Sequence, residues 1–286
     1  RSEPTPMRTI GLGNLSAGGT GKTPHAEWLL RQLPEAAFLS RGYRRKSKGF
    51  HTSIEGGDRC ALLGDEPAMV SSHFPERLVA VCEDRREGLR RMEAPMVVMD
   101  DCMQHRWVKP DFMILLTEYA RPYYKDRILP FGNLREGRGG ARRADCVVVT
   151  KCPENLSEEE MAEVRRCIWR AGERRLKSAL PVLPVYFSTF DYALPEALPG
   201  HIHLLTGIAH PEPLVEKLSQ HSEVTLHRFA DHHPFTQAEL DALPEGPIYT
   251  TEKDAARLQR LDCSKRLIIP IPIRVRFLGE EPSFKA

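Results

Sequence analysis

The chain has 286 residues, enough for one large domain or two modest ones, since a single core seldom grows past roughly 250 residues. Its 41% hydrophobic and 28% charged content excludes disordered and fibrous classes, and 41 Lys and Arg against 39 Asp and Glu, a net of +2, give nucleic acid no support as a partner. No apolar run reaches the roughly 18 to 20 residues of a membrane span, and the seven cysteines form no C-x-x-C pair, so they read as buried thiols in a reducing compartment.

In chain order, the first strand is expected over 8–13 (RTIGLG), followed by a glycine-rich turn and an amphipathic helix from Thr23 to about Leu33. Short apolar strands recur at 36–40, 78–82, 95–99, 111–116 and 145–150, with helical stretches at 67–73 and 84–92 between some of them. Continuous apolar strands alternating with helices predict a doubly wound α/β domain on a mostly parallel sheet, of the P-loop type. A helix over 157–171 follows, and a proline-dotted stretch, 181–200, breaks the rhythm. The boundary is therefore placed there, giving a larger domain over 1–180 that carries the glycine-rich turn and a smaller α/β lobe over 181–286. In the second lobe, strands are expected at 202–205, 223–229, 247–250 and 266–271, with helices near 211–220, 236–243 and 253–261.

The turn after the first strand reads Ser16-Ala17-Gly18-Gly19-Thr20-Gly21-Lys22-Thr23, a phosphate loop with Ser16 in place of the usual first glycine. Glycines let backbone N–H groups turn inward around an anion, and the helix that follows points its positive end there. Lys22 suits β/γ-phosphate charge, and Thr23 offers a hydroxyl to Mg²⁺. Such a loop needs an acidic partner for the cation at a neighbouring strand end, and the strand over 95–99 ends in Asp100-Asp101.

Other candidates are ambiguous when read alone. Gly64-Asp65-Glu66-Pro67 stands at a loop-to-helix junction, where Asp65 is equally an N-cap. Asp231-His232-His233 puts a carboxylate beside two imidazoles, suited to proton transfer or to a helix entry. Thr251-Glu252-Lys253-Asp254 lies at a strand-to-helix turn, where capping and ligand contact compete. The basic stretches Arg41–Lys48 and Arg135–Arg143 suit solvated loops or anionic phosphate and lipid headgroups.

Taken in order, G-N-L-S-A-G-G-T-G-K-T-P (13–24), L-S-R-G-Y (39–43), G-D-E-P (64–67), D-D-C-M-Q-H (100–105), L-R-E (134–136), D-H-H (231–233) and T-E-K-D (251–254) resemble the tetraacyldisaccharide 4'-kinases, the lipid A kinases, over nearly the whole chain. The resemblance implies transfer of the ATP γ-phosphate to the 4'-hydroxyl of a tetraacylated glucosamine disaccharide 1-phosphate, at the cytoplasmic face of the bacterial inner membrane. It implies that residues 16–23 hold ATP, with Asp100, Asp101, Gln104 and Glu136 joining Thr23 around Mg²⁺ and the phosphates. It implies that Asp65 and His232 activate the sugar hydroxyl, that Arg85 lies near the reacting phosphates, and that Arg41, Tyr43 and Arg135 meet the substrate. Cys102 stands where the family more often has a small residue. Relatives of this kind begin with a hydrophobic helix ahead of the first strand, so a trimmed segment before Arg1 is expected to carry the membrane anchor. Two other readings are a P-loop kinase or ligase of a soluble metabolite, and a guanine-nucleotide switch using Thr251–Asp254 as its base reader.

Overall fold

The computed structural model describes residues 7–173, 183–231 and 233–284. The chain divides into two compact units, Arg1–Phe190 with Val275–Ala286, and Asp191–Arg274. The division thus falls about ten residues beyond the boundary expected from the proline-rich stretch, and the chain's last residues return to the first unit.

In the first unit the elements run β1 (Arg8–Asn14), α1 (Lys22–Gln32), β2 (Ala36–Ser40), β3 (His51–Thr52), α2 (Arg59–Leu63), α3 (Asp65–His73) and β4 (Val79–Val81). They continue with α4 (Arg85–Arg91), β5 (Met96–Met99), β6 (Phe112–Glu118), a 3-10 turn (Arg138–Arg143), β7 (Cys146–Thr150), α5 (Glu158–Glu173) and β8 (Val185–Tyr192). The second unit holds β9 (His201–Thr206), α6 (Glu212–Ser219), β10 (Glu223–Arg228), α7 (Gln237–Asp241), β11 (Ile248–Thr251), α8 (Glu252–Leu258) and β12 (Ile268–Ile271), and β13 (Ile273–Phe277) leads back to the first.

The larger sheet has the order β13-β8-β7-β6-β1-β5-β2-β4-β3. β1 lies parallel between β5 and β6, with Ile10 opposite both Val98 and Phe112. Strand period sorts the side chains into two cores. Leu39, Val97, Met99, Met113, Leu115 and Val149 feed the face covered by Leu89 of α4 and Ile168 of α5. Phe38, Val98, Ile114 and Leu116 feed the other, covered by Leu29 and Leu30 of α1 and Val70 of α3. A sheet buried on both faces needs apolar residues at every position, which is why these strands read as unbroken runs. Truncating a fully buried leucine such as Leu29 would cost about 2–5 kcal/mol.

The smaller sheet, β10-β9-β11-β12, is parallel throughout. Ile202 and Leu204 pack on α6, while Leu205 and Ile248 pack against Leu240 and Leu258. Five of the described elements escape the sequence reading: β3, α2, the 3-10 turn, β8 and β13. β13 alternates half-buried and exposed residues in IRVRF, and β8 lies within the proline-dotted stretch with polar residues in VYFSTFDY, so neither shows an unbroken apolar run. All seven cysteines are free thiols.

Candidate active site

β1 ends at Asn14, and the chain turns through residues 16–21 into α1. Gly21 takes a left-handed φ of 85° at the N-cap of α1, and no side chain caps the helix. Its first amides are therefore left for an outside acceptor, an arrangement that suits an anion. A Cβ at Gly21 would come within 2.5 Å of the Phe190 ring, so only glycine fits. The loop's outer edge is tied down by Ala17 N–H donating to Asn133 O at 2.6 Å and by the Thr150 hydroxyl donating to Thr20 O at 3.0 Å.

β5 delivers the paired carboxylates beside this loop. The turn after it crosses β1 so closely that a Cβ at Gly13 would lie 2.6 Å from Met103 Cβ. Asp101, at a left-handed φ of 46°, faces Lys22 Nζ at 3.6 Å and the Arg135 guanidinium at 2.8 and 3.0 Å. Burial opposes its ionisation, but the Arg135 hydrogen bonds and the Lys22 charge prevail and hold it down at about 2. Asp100 is only 3% exposed; desolvation pushes its carboxyl up to about 7 despite Lys22. Ser40 Oγ donates to Asp100 Oδ2 at 3.4 Å, whereas Oδ1 is buried with no hydrogen-bond partner.

Arg85 is 2% exposed, with Nη1 on Cys82 O at 2.8 Å and Nη2 on Asp100 O at 3.1 Å. Its terminal nitrogens thus hold the backbone under the acidic pair. Gln104 Nε2 donates to Asn14 O at 2.9 Å and to Glu136 Oε1 at 3.1 Å, leaving its own Oε1 buried and unpartnered. The Glu136 carboxylate is further engaged by Arg106 at 2.8 Å and Arg143 at 2.6 Å, and despite its desolvation these partners hold it below the usual range.

Asn14 is the residue the sequence reading missed. Its side-chain oxygen accepts from Arg135 Nη2 and from Lys22 Nζ, the latter at 3.4 Å, while its amide donates to Ser16 O at 2.9 Å. The available signal was a polar residue closing an apolar strand. Thr23 is buried in the first turn of α1.

The loop after β2 carries Arg41 and Tyr43, both exposed. Lys46 N–H donates to Ala61 O at 2.9 Å, Ser47 Oγ donates to Leu62 O at 2.5 Å, and Tyr43 O lies 2.9 Å from where a Gly64 Cβ would stand. Asp65, the first residue of α3, is thereby set beside Tyr43.

Asp231 and His233 belong to the second unit, and His232 lies outside the described residues. His233 Nε2 pairs with Glu239 at 2.9 Å. Asp254 is fully buried: it accepts from Thr251 Oγ1 at 2.8 Å, Gly207 N at 3.0 Å and Arg257 at 2.7 Å. An acidic side chain at 0% exposure that already takes three donors inside a core is not displayed to a base, which gives the guanine-switch reading no support.

A family model described as Tetraacyldisaccharide-1-P 4'-kinase matches residues 1–286. The tetraacyldisaccharide 4'-kinase of Flavobacterium johnsoniae is 39% identical over 97% of this chain and 85% of its own length. That of Bacteroides fragilis strain YCH46 is 37% identical over 95% of this chain and 80% of its own length. A crystal structure of LpxK from Aquifex aeolicus in complex with ATP superposes with a TM-score of 0.71 at 25% identity, covering 98% of this chain and 87% of that one.

Proposed function

This chain belongs to the tetraacyldisaccharide-1-P 4'-kinase family, and from that membership we infer that it transfers the γ-phosphate of ATP to the 4'-hydroxyl of a tetraacyldisaccharide 1-phosphate, a step of lipid A assembly. The observation that carries the reading is the convergence of Lys22, Asp101, Arg135 and Asn14 at the mouth of an uncapped, glycine-led helix.

In this reading the amides of residues 18–23 and Lys22 receive the β- and γ-phosphates. The oxygen donor set fits magnesium: Asp100 Oδ1 and Gln104 Oε1 are buried, unpartnered oxygens next to the loop, and Thr23 lies in the first turn of α1. Asp100, Asp101, Gln104 and Thr23 would hold Mg²⁺, which when bound neutralises phosphate charge. Glu136 acts one layer out, orienting Gln104 and gathering Arg106 and Arg143. Arg85 acts as a positioning residue, fixing the Asp100 backbone beside the phosphates.

Asp65 receives the proton of the attacking hydroxyl, while Arg41 and Tyr43, flanking the Gly42 backbone that packs on Gly64, meet the sugar and its 1-phosphate. His232 is assigned to the same proton transfer. Among the described residues no helix is long and apolar enough to cross a membrane. The lipid acceptor assigns the enzyme to the cytoplasmic face of the inner membrane, peripheral or anchored through a segment ahead of Arg1. Thin-layer separation of labelled phosphate transferred from ATP to the disaccharide lipid tests the reading. Transfer to a soluble metabolite in preference to the lipid would overturn it.

A further inference from the structure

Large apolar side chains are usually left in water singly, and a cluster of them marks a contact surface. Ile128, Leu129 and Phe131 are 50, 52 and 84% exposed within four consecutive positions. The turn that shows them is ordered. Phe131 N–H donates to Ile128 O at 3.0 Å, Leu129 N–H to Leu134 O at 2.9 Å, and Leu134 N–H to Arg127 O at 2.9 Å. The Asp126 carboxylate staples the base by accepting from Arg127 N at 2.7 Å and Asn133 N at 3.1 Å. Leu134 is fully buried below, so the apolar tip is displayed from an anchored stem.

The surroundings are cationic. Residues 121–143 contain seven Lys and Arg against two Asp and Glu. Lys125, Arg127 and Arg142 are exposed and have no carboxylate partner among the described residues. The 3-10 turn bearing Arg142 is tied to the stem by Arg138 Nε donating to Asp126 O at 2.8 Å. Apolar side chains ringed by basic ones match the headgroup and acyl layers of an anionic bilayer, where both contribute to adsorption. A second copy of this chain would bring the same positive charges together, which disfavours it as the occupant.

We propose that the turn of residues 127–131 is a membrane-docking wedge, in which Ile128, Leu129 and Phe131 enter the surface of an anionic phospholipid bilayer while Lys125, Arg127 and Arg142 meet its headgroups. The stem also holds the phosphate loop, through Ala17 N and Asn133 O, so docking would bring that loop to the surface where an acyl-chained acceptor resides. The biological sense of the wedge rests on the lipid-acceptor reading, whereas adsorption itself is measured without acceptor.

The test is co-sedimentation of the whole protein with acceptor-free vesicles of phosphatidylcholine alone or mixed with phosphatidylglycerol. The wild type should pellet with the mixed vesicles and Ile128→Ser/Phe131→Ser should partition at least about tenfold less, with phosphate transfer to detergent-dispersed acceptor unchanged. Phe131→Trp, which keeps an aromatic tip, should show emission shifted to shorter wavelength on mixed vesicles. Equal binding of wild type and double variant, no preference for anionic vesicles, or an unshifted Phe131→Trp emission overturns the proposal. So does a wild-type dimer by light scattering that the double variant abolishes, or a several-fold loss of ATP affinity in that variant. Vesicle binding with no lipid kinase activity would instead sink the acceptor assignment and leave the wedge standing.

Discussion

Arg135 clasps Asp101 with both terminal nitrogens, Nη1 to Oδ2 at 3.0 Å and Nη2 to Oδ1 at 2.8 Å, while Lys22 stands 3.6 Å from the same carboxylate. The carboxylate is shared between a fork and a point charge, and the fork is the closer. Arg135→Lys retains the charge and loses the fork, letting Asp101 collapse onto Lys22 and compete with phosphate for it. Steady-state kinetics should show kcat/KM for ATP lower by about tenfold to a hundredfold. A value equal to wild type would mean that the fork does not set the position of Lys22.

Asp100 keeps a buried oxygen without a partner, an arrangement costly unless a cation or proton meets it. Asp100→Asn should therefore abolish the extra thermal stabilisation that Mg²⁺ adds to ATP, while ATP alone protects both proteins alike. Calorimetric melting with and without the metal checks this. Persistence of the Mg²⁺ increment would move the cation elsewhere.

Asp65 opens α3 next to the exposed Tyr43, removed from the Lys22–Asp101 cluster in sequence. If it takes the acceptor proton, Asp65→Asn lowers turnover by about 10²–10⁴-fold, with the ATP dissociation constant from titration calorimetry within about twofold. A weakened ATP affinity with intact turnover would assign it to the nucleotide instead.

His25 is 2% exposed between Gly21 O at 2.7 Å and Ser188 Oγ at 2.9 Å. A carbonyl only accepts, so Nδ1 carries the proton and Nε2 takes the Ser188 hydroxyl, which makes the ring neutral. Desolvation depresses its pKa to about 4, outweighing the Gly21 carbonyl, which raises it. The sign follows: the unfolded ring binds protons from pH 6.5 downward and the folded ring only near 4. Its contribution is therefore complete above pH 6.5 and lost as pH falls through 4, by roughly 3 kcal/mol. Urea unfolding at pH 7 and at pH 4.5 should show this loss in the wild type and a smaller one in His25→Gln. Parallel losses in both proteins would refute it.

In the second unit, Asp254→Ala removes the carboxylate that neutralises Arg257 and accepts from Gly207 N in the core, and the urea midpoint should fall by an amount equivalent to about 3 kcal/mol. Nucleotide preference should not change. A switch from GTP to ATP in binding assays would restore the base-reader role.

Much of the fold and the phosphate loop was legible because both follow from local pattern: unbroken apolar strands, and glycines with a lysine at a strand-to-helix turn. Asp100 and Asp101 could be picked out, but not their division of labour. Adjacent in sequence, they point to different surroundings, one toward a dry strand end and the other toward two cations, and the pKa values part accordingly. Arg85 could be placed near the phosphates by its charge, but its hold on the Asp100 backbone could not, because that contact depends on the α4–β5 packing. The links of Asn14 to Arg135 and of Arg106 to Glu136 were hidden for the same reason, since contacts spanning 121 and 30 residues leave no local trace.

The second unit enters the chain as an insertion, leaving the first through β8 and coming back through β13, its neighbour in the larger sheet. Phe277 and Phe284 then close over Trp28, with ring centroids 4.8 and 6.0 Å away. On the ribosome, where synthesis proceeds from the amino end, Trp28 and the flank of α1 must wait uncovered until Phe277 and Phe284 have emerged. The insertion can finish folding while its host still lacks an edge strand. Truncation by even a dozen residues at the carboxyl end would thus strike the nucleotide-binding unit, and nascent chains stalled before Ile273 should be the species that chaperones capture.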